Sequence, residues 1–91
     1  MSWTIRFDKH ALRQLKKIDK EQSRRILDYL EEVSQLDDVL VRGKALAGNL
    51  SGLWRYRVGD YRIICDIQSQ TVTIYVVEVG HRKEVYERNC R

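Results

Sequence analysis

Between residues 53 and 79, three runs rich in Val, Ile, Tyr and Trp follow one another with only Gly59-Asp60 and the polar stretch 68–70 between them. Connections of two or three residues leave no room for a crossover, so the runs at 53–58, 61–67 and 71–79 must pair as antiparallel neighbours. The rest of the chain has to be arranged around that meander.

The hairpin also fixes which side chains share a face. With Gly59-Asp60 as a two-residue turn, Val58 stands opposite Tyr61. Stepping outward then pairs Arg57 with Arg62, Tyr56 with Ile63, Arg55 with Ile64 and Trp54 with Cys65. Successive side chains alternate, which puts Trp54, Tyr56, Val58, Tyr61, Ile63 and Cys65 on one apolar face and Arg55, Arg57 and Arg62 on the other.

The N-terminal half supplies the cover for the apolar face. Residues 3–7 read as a short strand ended by Asp8, a good helix N-cap. Ala11, Leu12, Leu15 and Ile18 then recur at helical spacing, with Lys9, Arg13, Lys16 and Lys17 largely on the outer side and His10 on the polar, solvent-facing side. Asp19, followed three residues later by Gln22, resembles a capping box, and Ile26, Leu27, Leu30, Val33 and Leu36 continue a second stripe. The two helices form a hairpin whose only available cover is the sheet. Residues 37–52 hold three of the five glycines and show no period, as expected of a loop with at most one helical turn. Beyond Gly80 the chain turns polar, as a short helix or an ordered tail. The expected fold is α+β, one domain over residues 1–91, with a helical hairpin on one face of an antiparallel sheet.

Composition narrows the function classes. A chain of 91 residues that is 43% hydrophobic and 33% charged is globular and has room for one core. A formal charge of +4 favours a polyanionic partner. Cys65 and Cys90 lack disulfide or zinc spacing, and no cluster of His, Cys, Asp or Glu has ligand spacing, so neither a metal nor another cofactor is expected. No apolar stretch approaches the roughly 20 residues of a membrane span, and the expected location is the cytoplasm.

Like charges directly across strands oppose folding by a few tenths to about 1 kcal/mol per pair, so a sheet face with three arginines needs a reason. A bound phosphate chain is one, because the guanidinium fork donates two parallel hydrogen bonds to phosphate oxygens. The other is that the arginines lie flat, salt-bridged to Asp66, Glu78 or the tail, with their stems covering the sheet.

The C-terminal segment carries a further pattern. A Tyr-Arg pair (Tyr61-Arg62) opens the central strand, Val79-Gly80-His81-Arg82 follows the last one, Glu84-Val85-Tyr86 closes the chain, and a Lys-Ala-Leu segment begins at Lys44. In order and spacing these resemble the RelE branch of the RelE/ParE toxin superfamily, over almost the whole chain. The resemblance implies a toxin of a type II toxin–antitoxin system that enters the ribosomal A site and cleaves mRNA. There the 2′-hydroxyl attacks the adjacent phosphate, leaving a 2′,3′-cyclic phosphate and a 5′-hydroxyl.

By the same resemblance, the catalytic residues fall on Arg62, Arg82 and Tyr86. Arg62 and Arg82 would stabilise charge on the phosphate, and Tyr86 would stack on a base or accept the 2′-hydroxyl proton. Some members carry two lysines on the preceding strand where this chain has Leu53 and Arg55. Arg55 restores the charge, but arginine is a poor proton shuttle. Histidine normally titrates near neutrality, which makes His81 a candidate for that role, or else a turn residue bonded to backbone. Arg57, Lys44 and Lys83 would contact RNA, with Tyr75 as a further stacking candidate.

The resemblance also implies an acidic or amphipathic antitoxin of the RelB kind, docked on the basic helix or on the arginine face. Operator DNA would be reached only through that complex, and the other partners would be the ribosome and mRNA. Two rival readings stand beside it. One is a ParE-type poison of DNA gyrase with the same fold; the other is a non-catalytic RNA-binding module, which a Tyr86→Ala exchange would separate from an enzyme.

Overall fold

In a computed structural model of the chain, which describes residues 2–81, Asp8 marks the first change of backbone state. Its Oδ2 accepts from the His10 amide at 3.1 Å, ending β1 (Thr4–Phe7) and starting α1 (Lys9–Lys17). A carboxylate at that position satisfies an amide that the first helical turn leaves open. Asp19 repeats the device for α2 (Lys20–Ser34), accepting from the Glu21 amide at 3.2 Å and not from that of Gln22.

The meander follows the expected register throughout its first hairpin. β3 (Trp54–Val58) and β4 (Tyr61–Gln68) pair Val58 with Tyr61, Arg57 with Arg62, Tyr56 with Ile63, Arg55 with Ile64 and Trp54 with Cys65. Of the two turn residues only Gly59 has positive φ, at 59°, as a type II′ turn requires. β5 (Thr73–His81) returns antiparallel to β4.

Three expectations are corrected. The sheet is mixed, because β1 lies parallel to β5 in the order β1-β5-β4-β3-β2, where β2 is Lys44–Ala45. Short turns dictate antiparallel pairing only between consecutive strands, and β1 is free to add to the outer edge of β5 in the other sense. The segment 37–52 is not one loop: it holds two single 3-10 turns, Val39–Val41 and Gly48–Leu50, around β2 (Lys44–Ala45), which pairs with β3. The last strand is displaced towards the C-terminus by a 3-10 turn at Ser69–Thr71, so His81 lies inside it. The segment proposed as a final helix or tail lies outside the described residues, with Arg82, Lys83 and Tyr86.

The helices pack on the apolar face of the hairpin, as the alternation requires. Ala11 and Leu15 of α1 and Ile26, Leu30 and Val33 of α2 meet Tyr56, Val58, Ile63, Cys65, Ile74, Val76 and Val79 of the sheet. Burying each large aliphatic or aromatic side chain contributes about 1.5 to 3 kcal/mol against the entropy of folding. β1 ends opposite Val76, and α1 covers the strand edge beyond it. There the Asp8 amide donates to the Val76 carbonyl at 2.8 Å, and Gln14 Oε1 accepts from the Val79 amide at 2.8 Å. The strand edge is thereby closed to pairing with another chain.

Candidate nucleic-acid interface

The face away from the helices gathers cations in two cross-strand rows. Lys44 of β2 stands opposite Arg55, and Arg55 opposite Ile64, which in turn faces Glu78. One step towards the hairpin turn, Arg57 faces Arg62, and Arg62 faces Gly80. Ile64 is 2% exposed yet lies outside the helix-side core, so it forms an apolar floor between the charged groups of its row.

Each cation is held differently. Arg62 is only 5% exposed, and its Nη1 reaches back over the turn to the Gly59 and Tyr61 carbonyls, both at the long distance of 3.5 Å. Arg55 is half-buried, whereas Arg57 and Lys44 are exposed. Gly80, opposite Arg62, is itself buried and carries no side chain to fill the space beside the guanidinium's stem.

Lys44 reaches this row through an anchored loop. Tyr56 Oη donates to the Val39 carbonyl at 2.7 Å, and Trp54 Nε1 donates to the Arg42 carbonyl, also at 2.7 Å. Directly after the second anchor Gly43, at φ +83°, passes β3 so closely that a Cβ would stand 2.3 Å from the Arg55 carbonyl oxygen. Only glycine fits there, both for its φ and for the space. The aromatic pair thus packs with its rings on the core side and uses its polar ends to place Lys44. Nothing in a two-residue strand has a detectable period, which is why sequence reading missed β2; the Gly43-Lys44 step after an apolar run was its only trace.

Burial separates structural from reactive groups. Desolvation raises the Tyr56 phenol well above its ordinary pKa, with neighbouring Cys65, Tyr29 and Asp38 adding to the effect. Cys65 is likewise held as a thiol by burial and by nearby Asp66, which makes it inert. Tyr75 lies on the arginine side in the row of Arg6 and Asp66, its hydroxyl donating to Asp8 Oδ1 at 3.0 Å. That bond is the main cause of its raised pKa.

The structure does not bring every expected site residue together. His81 faces Tyr61, their rings edge-to-face at 5.8 Å, beside a depression lined by Gln14, Lys17 and Asp19 on the helix side of the sheet. It therefore stands on the face opposite Arg62, because one residue along a strand reverses the side-chain direction. His10 is exposed, as expected, and its Nε2 also approaches Glu78, at 3.7 Å from Oε1. Arg55, Arg57, Arg62 and Lys44 do share one face, with Glu78 in the row of Arg55. Among the described residues no group of three or more His, Cys, Asp or Glu gathers as a metal site, and no helix is long and apolar enough to cross a membrane.

Comparison with known proteins identifies relatives of the chain. A family model described as the ParE toxin of type II toxin–antitoxin systems matches residues 5–86. Toxin RelG of Mycobacterium tuberculosis is 33% identical over 91 residues, covering 97% of this chain and 100% of the relative. The toxin–antitoxin complex RelBE2 of the same organism contains a chain with TM-score 0.81 and 27% identity, covering 89% of this chain and 92% of that one. The isolated Escherichia coli RelE toxin matches in fold, at TM-score 0.70 and 19% identity, over 98% of this chain and 96% of that one.

Proposed function

This chain belongs to the RelE/ParE superfamily of toxins from type II toxin–antitoxin systems, and from that membership we propose that it is a ribosome-dependent endoribonuclease that cleaves mRNA and halts translation. The observation that carries the reading is the pair of cation rows, with Arg62 held at the centre of a sheet face that the helices leave uncovered. The cross-strand repulsion of those cations is offset when a phosphodiester lies over them.

In this reading Arg62 binds the non-bridging oxygens of the scissile phosphate and stabilises the charge that grows as the 2′-oxygen attacks. A donor fixed before the reaction contributes most, since it needs no reorganisation at the barrier. Arg82 would join it from the segment after β5, and Tyr86 would stack on a base beside the cut. Arg55, Arg57, Lys44 and Lys83 would hold the flanking backbone. The partner that restrains the activity would be an antitoxin of the RelB kind, as in the M. tuberculosis RelBE2 complex; its acidic or amphipathic segment would cover the same cations.

The test is a cell-free translation extract given the purified toxin. Full-length reporter should disappear and its message should be truncated, and Arg62→Ala should slow truncation by roughly 10²- to 10³-fold, the usual cost of one transition-state donor. A second reading, a gyrase poison of the same fold, draws on the ParE description of the matching family model. Intact messages in the extract together with inhibited supercoiling by gyrase would favour it.

A further inference from the structure

The cleavage step needs a proton acceptor for the 2′-hydroxyl, and the cations of the site offer only donors at neutral pH. Strand register puts two carboxylates on their face. Asp66 stands opposite Tyr75 and accepts from Gln68 Nε2 at 3.1 Å. It lies four residues along β4 from Arg62, a span of about 13 Å, too far to serve the same phosphate. Glu78 stands opposite Ile64 in the row of Arg55 and Lys44. It is also the diagonal neighbour of Arg62 across Gly80, at the roughly 7 to 8 Å spacing that long side chains bridge.

Two more observations single out Glu78. The register passes from Ile64 opposite Glu78 to Cys65 opposite Val76, so Val77 is an extra residue in β5. A bulge of this kind re-aims the side chain next to it. The carboxylate is 19% exposed and meets the imidazole of His10, itself 49% exposed at the start of α1, at 3.7 Å. The pair thus joins a strand position on the arginine side of the sheet to a side chain open to water. Among the described residues, His10 from the start of α1 meets the Glu78 carboxylate, and strand register puts Arg62 of β4 and Arg55 of β3 on the same face of the sheet.

We propose, resting on the nuclease reading, that Glu78 is the proton acceptor for the attacking 2′-hydroxyl and that His10 passes the proton on to solvent. The O–H bond of the 2′-hydroxyl breaks towards Glu78 as the 2′-oxygen bonds to phosphorus. The bond from phosphorus to the 5′-oxygen breaks, and that oxygen takes a proton from water. Glu78 then returns its proton to solvent through the imidazole, and no other reactant is consumed. Tyr86 is left with the stacking role.

Single-turnover cleavage of a message on stalled ribosomes, followed across the acid and neutral range, tests this. Glu78→Gln should cut roughly 10²- to 10⁴-fold more slowly, bind ribosomes as wild type does, and lose the acid limb of the rate profile. Glu78→Asp should keep that limb. A Glu78→Gln variant within about threefold of wild type, with its acid limb intact, overturns the assignment. Should that variant fail to fold, His10→Ala at the exposed end of the pair replaces it: a displaced acid limb supports the relay, and an unmoved one overturns it. A wild-type chain that cuts nothing, by contrast, overturns the nuclease reading itself and this assignment with it.

Discussion

Tyr56 illustrates how one side chain serves both core and site. Its ring is fully buried beneath α2, while its hydroxyl holds the loop that delivers Lys44 to the arginine row. Tyr56→Phe leaves the Val39 carbonyl without that donor, and should lower stability by about 1 to 3 kcal/mol, read as a lower urea midpoint at unchanged slope. Tyr56 and Cys65 also set an alkaline limit. Both folded-state pKa values lie above their ordinary 10.0 and 9.0, so the folded chain binds more protons than the unfolded one above those values. The contribution of these two groups should therefore be constant below about pH 9 and fall as pH rises further, and a Cys65→Ala variant should show a shallower fall in alkaline unfolding curves.

At the scale of elements, the β4–β5 connection stores strain. Val72 sits in the left-handed region at φ 51°, which β-branched residues strongly avoid, while its backbone carbonyl accepts from the Thr4 amide at 2.9 Å. Asparagine tolerates that conformation, so Val72→Asn should raise stability by about 1 kcal/mol, seen as a thermal midpoint a few degrees higher. At the β2 approach the sign reverses. Gly43→Ala brings a methyl group against backbone and should cost at least about 2 kcal/mol while pulling Lys44 out of register. The β3–β4 hairpin was legible because a two-residue turn leaves one register, and that alone placed Arg55, Arg57 and Arg62 on a common face. β2 and the parallel pairing of β1 were not legible, since both depend on contacts between distant segments and leave no local pattern. His81 was misplaced because the last strand runs two residues past its expected end, and that position decides which face a side chain takes. Glu78 was read only as a salt-bridge partner, since its contact with His10 spans 68 residues of sequence.

For the whole molecule, the two faces divide the work. One is sealed by the helical hairpin and makes the chain stable; the other carries the cation rows, with Lys44 and Arg57 exposed and Arg62 buried, at a cost in repulsion that binding relieves. Affinity for ribosomes should therefore fall steeply with salt, and each of Lys44→Ala and Arg57→Ala should lower the slope of log affinity against log salt by about 0.7 to 1. An antitoxin covering the same face would raise the thermal midpoint by mass action and suppress activity together. Whether this face cuts messages is decided by mapping the 5′ ends of cellular mRNA after brief induction. New 5′-hydroxyl ends phased to codons should arise with the wild-type chain and none with Arg62→Ala. Intact messages under both, with replication stalled by the wild-type chain, would contradict the nuclease reading.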